Sequence, residues 1–303
     1  MKQNLMLAIL ALWALAGTGC SRSNEQSSSN FEKSNLHVWA YEEYDAVDRT
    51  PEERAKALVD LGIRNASYIC RNESRVAEFE DYLIAYQKAG IELIGVWTPI
   101  HTDHPMEEPH VRTFLKVVDR HQLEIQWWLT LEQDFDAMPE GKRVEDALTR
   151  LRPLVQEANQ RNCQLVLYGH GRNRWFTQYE NQIVILERLK ADMPSADVGI
   201  IYNFHQSHAQ IDRFEGVFPK LQPHLAAVNL NGMHTEGPPI ARIGQGDWEK
   251  GMIAVIHQSG WRGPTGIIAH DRKQDVAITL QENLDGLRSV LKEIGDEAGF
   301  ASY

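Results

Sequence analysis

Short apolar runs alternate with longer amphipathic segments between about residue 36 and residue 295. Apolar runs of this length predict strands, whereas apolar positions spaced three and four residues apart predict helices. In the first pair, "LHVWAYEE" precedes "TPEERAKALVDLG", in which Thr50 is placed to cap a helix, Pro51 suits its first position and Gly62 its end. The chain therefore opens with a strand followed by a helix.

The same strand–helix unit repeats along the chain, giving eight units of roughly 30 residues each, the size expected of an eight-fold β/α barrel. Several predicted strands are apolar on both faces, as parallel strands covered by helices are. An open doubly wound sheet is the alternative, but no Gly-x-Gly-x-x-Gly follows the first strand. We predict an α/β fold, a single (β/α)8 TIM barrel over residues 36–297, whose later strands lie in "NASYIC", "IELIGVWTPI", "LEIQWWLT", "CQLVLYGH", "DVGIIYNFH", "LAAVNLNGM" and "GPTGIIAH".

The N-terminal segment "MKQNLMLAILALWALAGTGC" has one basic residue, an apolar stretch too short to cross a bilayer, and small residues before Cys20. It predicts an export signal over residues 1–20. The small residues before Cys20 resemble the bacterial lipoprotein signal, which predicts lipidation of Cys20, and an ordinary cleaved signal is the alternative. Residues 21–35 include "SRSNEQSSSN" and predict a flexible Ser-rich tether. We expect an exported, periplasmic or outer-membrane-anchored lipoprotein that meets the membrane only through this anchor.

Composition narrows the class of partner. The chain has 303 residues, 43% hydrophobic with 8 Trp, which is enough for one large core. Its formal net charge is −11 and it has no Lys/Arg run, so nucleic acid is not an expected partner. Cys70 and Cys163 lie in or beside apolar runs and are predicted to be buried free thiols, and the absence of Cys-x-x-Cys from the sequence argues against a zinc ribbon.

Candidate chemistry is expected at the carboxyl ends of the strands, where the active sites of such barrels lie. Seven of the 12 histidines fall there, together with Trp, Asn and Arg residues. Aromatic faces pack on sugar rings, while amides, imidazoles and guanidinium groups bond hydroxyls or a carboxylate, so this set predicts a small-molecule carbohydrate partner. For Glu132 and Asp134, a solvated loop acid is favoured over a catalytic base. The predicted sugar-binding residues at these ends are Trp39, Arg172, Trp175, Asn203, Asn229 and Asn231.

The last third of the chain carries a family resemblance. "VNLNGM" is followed by "IGQGDWEKGMIAVIHQSGWRGPTGII" and a final helix, and residues 244–248, Gly-Gln-Gly-Asp-Trp, are its most specific part. This arrangement resembles the xylose isomerase-like barrels, which include sugar phosphate isomerases/epimerases and the AP endonuclease type 2 group. The strand ends "YGHG" and "NFHQSH" are similar to those of a secreted bacterial subset.

The resemblance implies an eight-fold barrel and, in most of the family, a divalent metal that polarises a sugar carbonyl. The usual ligands are Glu, Asp, His and Glu on the fifth to eighth strands. This chain has Tyr168, Asn203, Asn229 and Ile268 at those positions. Because Mn²⁺ and Mg²⁺ prefer charged oxygen ligands, a site of the usual kind is not expected.

Polar residues reappear two positions further along each of these strands. Side chains alternate along a strand, so His170, His205, Asn231 and His270 point the same way as the four positions above. Three imidazoles could hold a divalent metal such as Zn²⁺ or Mn²⁺, act without metal as acid/base groups beside a carbonyl, or only bond a ligand. The sequence leaves these three interpretations open.

We therefore predict a carbohydrate-active enzyme of the isomerase/epimerase type. It would abstract a proton next to a sugar carbonyl in an isomerisation, epimerisation or β-elimination, with His170, His205 and His270 as catalytic residues. The alternative is a sugar-binding barrel that has lost catalysis along with the family's metal carboxylates. A DNA-repair endonuclease is disfavoured because the chain is acidic and lacks those carboxylates.

Overall fold

The computed structural model describes residues 29–171, 174–236 and 240–303. Eight parallel strands pair in chain order, and the last pairs with the first to close a barrel. This confirms the predicted (β/α)8 TIM barrel. The strands are β1 (Leu36–Trp39), β2 (Asn65–Ile69), β3 (Glu92–Ile100), β4 (Gln126–Leu131), β5 (Gln164–Tyr168), β6 (Val198–Asn203), β7 (Leu225–Leu230) and β8 (Thr265–Ile268).

Helices cover the outside of the barrel. The first begins as predicted, because the Thr50 hydroxyl accepts from the Glu53 amide while the Glu53 carboxylate accepts from the Thr50 amide. Among the described residues, no helix is both long and apolar enough to span a membrane. The helices are α1 (Pro51–Asp60), α2 (Glu73–Ala89), α3 (Pro109–His121), α4 (Glu140–Gln160), α5 (Tyr179–Asp192), α6 (Phe214–Leu221), α7 (Glu249–Ser259), α8 (Val276–Ile294) and α9 (Glu297–Ala301).

Large aromatic side chains fill the barrel interior and form a plug. Trp39 and Trp128 meet edge to face with ring centroids 4.9 Å apart. Gly95 makes room for Trp128, since a Cβ at this glycine would lie 2.5 Å from Cε2 of the indole. A second, larger core lies between the strands and the helices, and Cys70 and Cys163 are buried free thiols, as predicted. The plug consists of Trp39, Ala40, Ile69, Trp97, Trp128, Val166, Tyr168, Ile201, Ala226, Ala227 and Ile268.

A short chain of polar groups also lies inside the barrel. Asn229 donates through Nδ2 to Oδ1 of Asn203 at 2.7 Å, and Oδ1 of Asn229 lies 3.2 Å from Nε2 of His37. The amide oxygen can only accept, so Nε2 of His37 carries the proton. Burial lowers the pKa of His37 to about 3, which keeps this imidazole neutral at physiological pH. These residues therefore form a neutral hydrogen-bonded network in the core.

Residues 29–35 differ from the flexible tether predicted for residues 21–35. Phe31 is fully buried, Asn30 donates to the Thr265 hydroxyl at 2.7 Å, and the Gly263 amide donates back to Asn30 at 2.8 Å. The Ser29 hydroxyl donates to the Asp296 carboxylate. This segment closes the amino-terminal end of the barrel, because hydrophobic burial and specific bonds outweigh its polar composition. Cys20 and residues 1–20 lie outside the described residues.

Candidate active site at the carboxyl ends of the strands

A small, partly open cavity lies above the aromatic plug. The side chains of His170, His205 and His270, which follow three separate strands, all line it. Ala40 in its wall has φ of 57°, a left-handed conformation that is rare outside glycine and is often found at functional sites. The larger depression beside Arg161 lies at the opposite, amino-terminal end of the barrel. The cavity is lined by Trp39, Ala40, Tyr44, Ile69, Arg71, Trp97, Tyr168, His170, His205 and His270.

His270 is a buried, neutral imidazole in the cavity wall. Its ring stacks on Tyr44 with centroids 3.9 Å apart and meets His205 edge to face at 5.5 Å. Burial, followed by the positive charges of Arg71 and Arg272, lowers the pKa of His270 to about 3. Its Nε2 has no hydrogen-bond partner among the described residues. This nitrogen is shielded from solvent at the cavity wall, and the neutral ring can either donate or accept a hydrogen bond there.

His170 is paired with a carboxylate from the neighbouring strand end. Nδ1 of His170 lies 3.3 Å from Oε1 of Glu132, and Nη1 of Arg174 lies 3.6 Å from the same carboxylate. The hydrogen bond from His170 is the largest of the effects that lower the pKa of Glu132. A carboxylate at Nδ1 favours the tautomer protonated there and leaves the lone pair on Nε2, as a general base requires. The sequence favoured Glu132 as a solvated acid in a loop; in the structure its carboxylate is instead paired with His170 and Arg174.

His205 is positioned by its neighbour Gln206. The Gln206 amide nitrogen lies 2.8 Å from Nε2 of His205 and can only donate, so the imidazole accepts at this atom. Oε1 of Gln206 accepts from the Gly171 amide at 3.0 Å. Gln206 therefore links the loops that follow β5 and β6 and fixes the orientation of His205.

Arg71, which the sequence analysis did not single out, is the one permanently charged residue among the described residues that line the cavity. Its guanidinium forms a two-pronged pair with Glu43, with Nε–Oε1 at 2.9 Å and Nη2–Oε2 at 2.7 Å, and lies 5.4 Å from the Trp97 ring centroid. Its position directly after β2 was the available signal. The pairing with Glu43 was not readable from the sequence, because it depends on how two loops meet.

Most of the predicted sugar-binding residues do not line the cavity. Trp39 does, but Asn203 and Asn229 bond each other in the core, and Asn231 donates to the Gly232 carbonyl at 2.7 Å. The cause is the stagger of strands in a closed barrel, which sets Asn203 level with Asn229 and below the cavity. Trp175 packs on Phe135, with ring centroids 5.1 Å apart. Arg172 lies outside the described residues.

The positions of the family's usual metal ligands do not fit a metal here. Ile268 is buried in the apolar plug, and the Tyr168 hydroxyl accepts from Nε1 of Trp39 at 3.1 Å. Burial raises the pKa of Tyr168, so this phenol stays neutral. Asn203 and Asn229 are committed to each other. None of these groups supplies the charged oxygen that a hard cation prefers.

One other cluster could hold a metal. Among the described His, Cys, Asp and Glu residues, only His101, Glu108 and His110 bring three potential metal-binding atoms within 4.8 Å of one another. The three histidines of the cavity do not form a group whose potential metal-binding atoms are all this close together. In this cluster, Nε2 of His110 donates to the Pro99 carbonyl at 2.8 Å. Oε1 of Glu108 accepts from the amides of His101 and Thr102 at 2.9 and 2.8 Å. Because these atoms already hold the loop after β3, the cluster fits a structural role better than a metal site.

Comparisons with known proteins identify similar folds but no similar sequences. No protein-family model and no curated protein sequence matches the chain. The solved structure of IolI protein with a zinc atom is 11% identical, covering 86% of this chain and 98% of that one, with a TM-score of 0.67. The 3-keto-D-glucoside 4-epimerase of E. coli is 14% identical over 85% of this chain and 100% of its own, with a TM-score of 0.59.

A fusion of a xylose isomerase-like TIM barrel with a 4-hydroxyphenylpyruvate dioxygenase is 16% identical. The match covers 88% of this chain and 43% of the fusion, with a TM-score of 0.65. Other neighbours are D-tagatose and D-psicose 3-epimerases or epimerase-like proteins. At such identities the likeness is one of fold, and it agrees with the resemblance found in the sequence. The chain therefore has the fold of the xylose isomerase-like TIM barrels.

Proposed function

We propose that this protein is an enzyme that abstracts a proton from the carbon next to a sugar carbonyl. The observation that carries the proposal is the convergence of three imidazoles on one cavity, one of them paired with a carboxylate. Neighbours of the same fold that are named as sugar epimerases support this class of reaction. The product would be an isomer, an epimer or an eliminated sugar.

His170 is the proposed base. Its Nε2 takes the proton as the C–H bond breaks, and the Glu132 carboxylate at Nδ1 stabilises the imidazolium that forms. The released electron pair moves to the carbonyl oxygen, to which the neutral His270 in the cavity wall would donate a hydrogen bond. Return of the proton to the opposite face of the same carbon gives an epimer, and its delivery to the former carbonyl carbon gives an isomer. In an elimination the electron pair instead expels the hydroxyl on the β carbon, which takes up the proton and leaves as water.

The aromatic residues of the cavity suit the apolar face of a sugar ring. Trp39 and Trp97 lie nearly perpendicular, with ring centroids 6.4 Å apart, and both line the cavity. Indole faces pack on the C–H groups of sugars. Both indoles are almost fully buried, so they would form an apolar floor beneath a bound sugar while the imidazoles act on its polar edge.

The proposal is tested by proton exchange in D2O. The full-length protein is incubated with a panel of ketohexoses and 3-keto-glucosides, and deuterium at the carbon beside the carbonyl is followed by NMR. Exchange that is lost in His170→Asn, with the fold intact by circular dichroism, supports the proposal. Sugar binding seen by tryptophan fluorescence without any exchange would instead establish the non-catalytic sugar-binding barrel.

We also propose export and lipidation at Cys20, which rest on the sequence alone. The test is metabolic labelling with a fatty acid in a bacterial host, followed by membrane fractionation. Label and membrane association should both be lost in Cys20→Ser. A soluble, unlabelled wild-type protein would contradict the proposed anchor.

A further inference from the structure

The cavity differs in charge from the rest of the molecule. The chain carries a formal net charge of −11, yet none of the described residues that line the cavity is a carboxylate. Its lining contains one permanent cation, Arg71, together with three imidazoles, one phenol in the wall and one in the floor. Because acidic side chains are abundant elsewhere in the protein but absent from the described lining of this cavity, the cavity is suited to an anionic ligand.

A second cation stands at the mouth of this cavity. The Arg272 guanidinium lies 4.9 Å from the ring centroid of Tyr44, which in turn stacks on His270 at 3.9 Å. Guanidinium, phenol and imidazole thus form one stacked wall. Arg272 is exposed and makes no ion pair within the described parts of the chain. Its positive charge is therefore uncompensated by any side chain shown to contact it.

The acids close to Arg272 are bound to other cations. An open groove adjoins the cavity and shares Arg71 with it. In this groove Glu43 pairs with Arg71 and Arg75. Asp45 pairs with Arg49 and Arg54.

The acids that lie on either side of Arg272 along the chain are also paired. Asp271 pairs with Arg242, and Asp275 pairs with Arg49.

We propose that the sugar acted on is an acidic one, whose carboxylate is bound by Arg272 and Arg71 where the groove meets the cavity. This inference rests on the proposed function and names its class of substrate. The low pKa of His270 agrees with it, since both guanidinium groups contribute to that shift. The guanidinium plane matches a carboxylate well and can bind it with two parallel hydrogen bonds.

A phosphate shares this chemistry but fits the site less well. Phosphate groups are commonly held by free backbone amides at the start of a helix. The start of α2 adjoins the groove, but its Arg75 amide is already bonded to the Asn72 side chain at 3.0 Å. Two of the donors of Arg71 are committed to Glu43. The remaining donors suit a monoanion.

The test compares sugars that differ only in the acidic group. Binding of D-glucuronate and D-galacturonate is measured by calorimetry against D-glucose and D-galactose, with D-glucose 6-phosphate as the phosphate probe. We expect each uronate to bind about tenfold more tightly than its neutral parent, a preference that declines with added salt. Arg272→Gln should reduce this preference to about threefold or less.

Arg288→Gln is the matched control, because Arg288 is also exposed and its guanidinium lies 4.8 Å from the ring centroid of Phe300, away from the cavity. It should leave the preference unchanged. Equal titrations of uronate and parent sugar, no response to either, or a preference that survives Arg272→Gln would overturn the proposal. Tighter binding of glucose 6-phosphate would replace the carboxylate with a phosphate.

The result is separable from the proposed function. A uronate that binds through Arg272 but exchanges no proton in D2O supports the acidic ligand and counts against the enzyme. Exchange in neutral keto-sugars, with no preference for uronates, does the reverse.

Discussion

Oε1 of Glu132 lies 3.3 Å from Nδ1 of His170, although one residue follows β4 and the other follows β5. Neighbouring parallel strands bring their carboxyl ends side by side, so two loops that are separate in sequence can build one proton-transfer pair. The imidazole ring also lies 5.2 Å from the Trp97 ring, centroid to centroid, at the edge of the cavity. The pair is partly exposed, which leaves His170 able to exchange its proton with a ligand or with solvent.

Replacement of Glu132 by Gln should slow proton exchange by about 10- to 100-fold, because an amide at Nδ1 no longer stabilises the imidazolium. Substrate affinity should change little. The measurement is the rate of deuterium incorporation from pH 5 to 9. Asp134→Asn is the control, since among the described residues its carboxylate accepts only from the Ala137 amide, at 3.3 Å. Equal rates for both variants would remove Glu132 from the mechanism.

Replacement of Glu42 by Gln should stabilise the protein at neutral and higher pH. Burial raises the pKa of Glu42 to about 7 from the ordinary 4.5, so the folded state favours the protonated carboxyl. Stability from this group is present below pH 4.5 and is lost as pH rises towards 7, by about 1.4 kcal/mol per pH unit. Relative to wild type, Glu42→Gln should therefore gain about 3 kcal/mol between pH 4.5 and pH 7.5.

Denaturant unfolding at a series of pH values measures this gain. Glu92→Gln, which changes an exposed carboxyl on β3, is the control and should show no such trend. A Glu42→Gln variant whose unfolding free energy runs parallel to wild type at every pH would show that Glu42 is ionised without penalty.

Replacement of His270 by Gln should make the protein less sensitive to acid. The folded pKa of His270 is about 3 and the ordinary value is 6.5, so the unfolded chain binds one more proton between these values. Wild-type stability is full above pH 6.5 and falls as pH drops, by about 1.4 kcal/mol per unit for this group. His37 contributes in the same direction.

The variant should lose one of these two contributions between pH 4 and 6, giving a shallower slope of unfolding free energy against pH. His104→Gln is the control, because that side chain is 71% exposed. Identical slopes for His270→Gln and wild type would mean that His270 titrates normally in the folded protein.

Replacement of Gly266 by Ala should destabilise the barrel by about 3 kcal/mol, since overpacking an interior forces neighbours to move. A Cβ there would lie 1.9 Å from Oδ1 of Asn229 and 2.6 Å from Nε2 of His37. Gly251→Ala in α7 is the control, because nothing lies within 4 Å of its added Cβ. It should stabilise by about 0.5–1 kcal/mol through the helix propensity of alanine. Thermal unfolding of both variants decides the matter.

The sequence predicted which way a side chain points from its strand better than it predicted how far along the barrel axis that side chain lies. Alternation along β5 and β8 predicts His170 and His270 on the face that carries Tyr168 and Ile268; both histidines line the cavity together with Tyr168, whereas Ile268 is buried in the plug. The same rule could not show that Asn203 lies below the cavity, because the height of each strand depends on the stagger of the closed barrel. Periodicity within a strand carries no information about stagger between strands.

Contacts between loops were equally out of reach. Arg71 depends on Glu43 for its position, and Glu132 gains its role only through His170. Neither pair has a sequence spacing that a local rule recognises, since each joins loops that follow different strands. Residues 29–35 show a related gap, because their composition favours a tether while their partners lie near the other end of the chain.

The segment from Ser29 to Asn35 enters the barrel at the end opposite the cavity, where the side chains of Asn30 and Asn35 both bond the backbone of Gly263, just before β8. In a molecule attached to a surface through its N-terminal residues, the closed amino-terminal end of the barrel would lie nearest that surface and the cavity would lie at the far end. A ligand of the cavity could then enter from the side facing away from that surface.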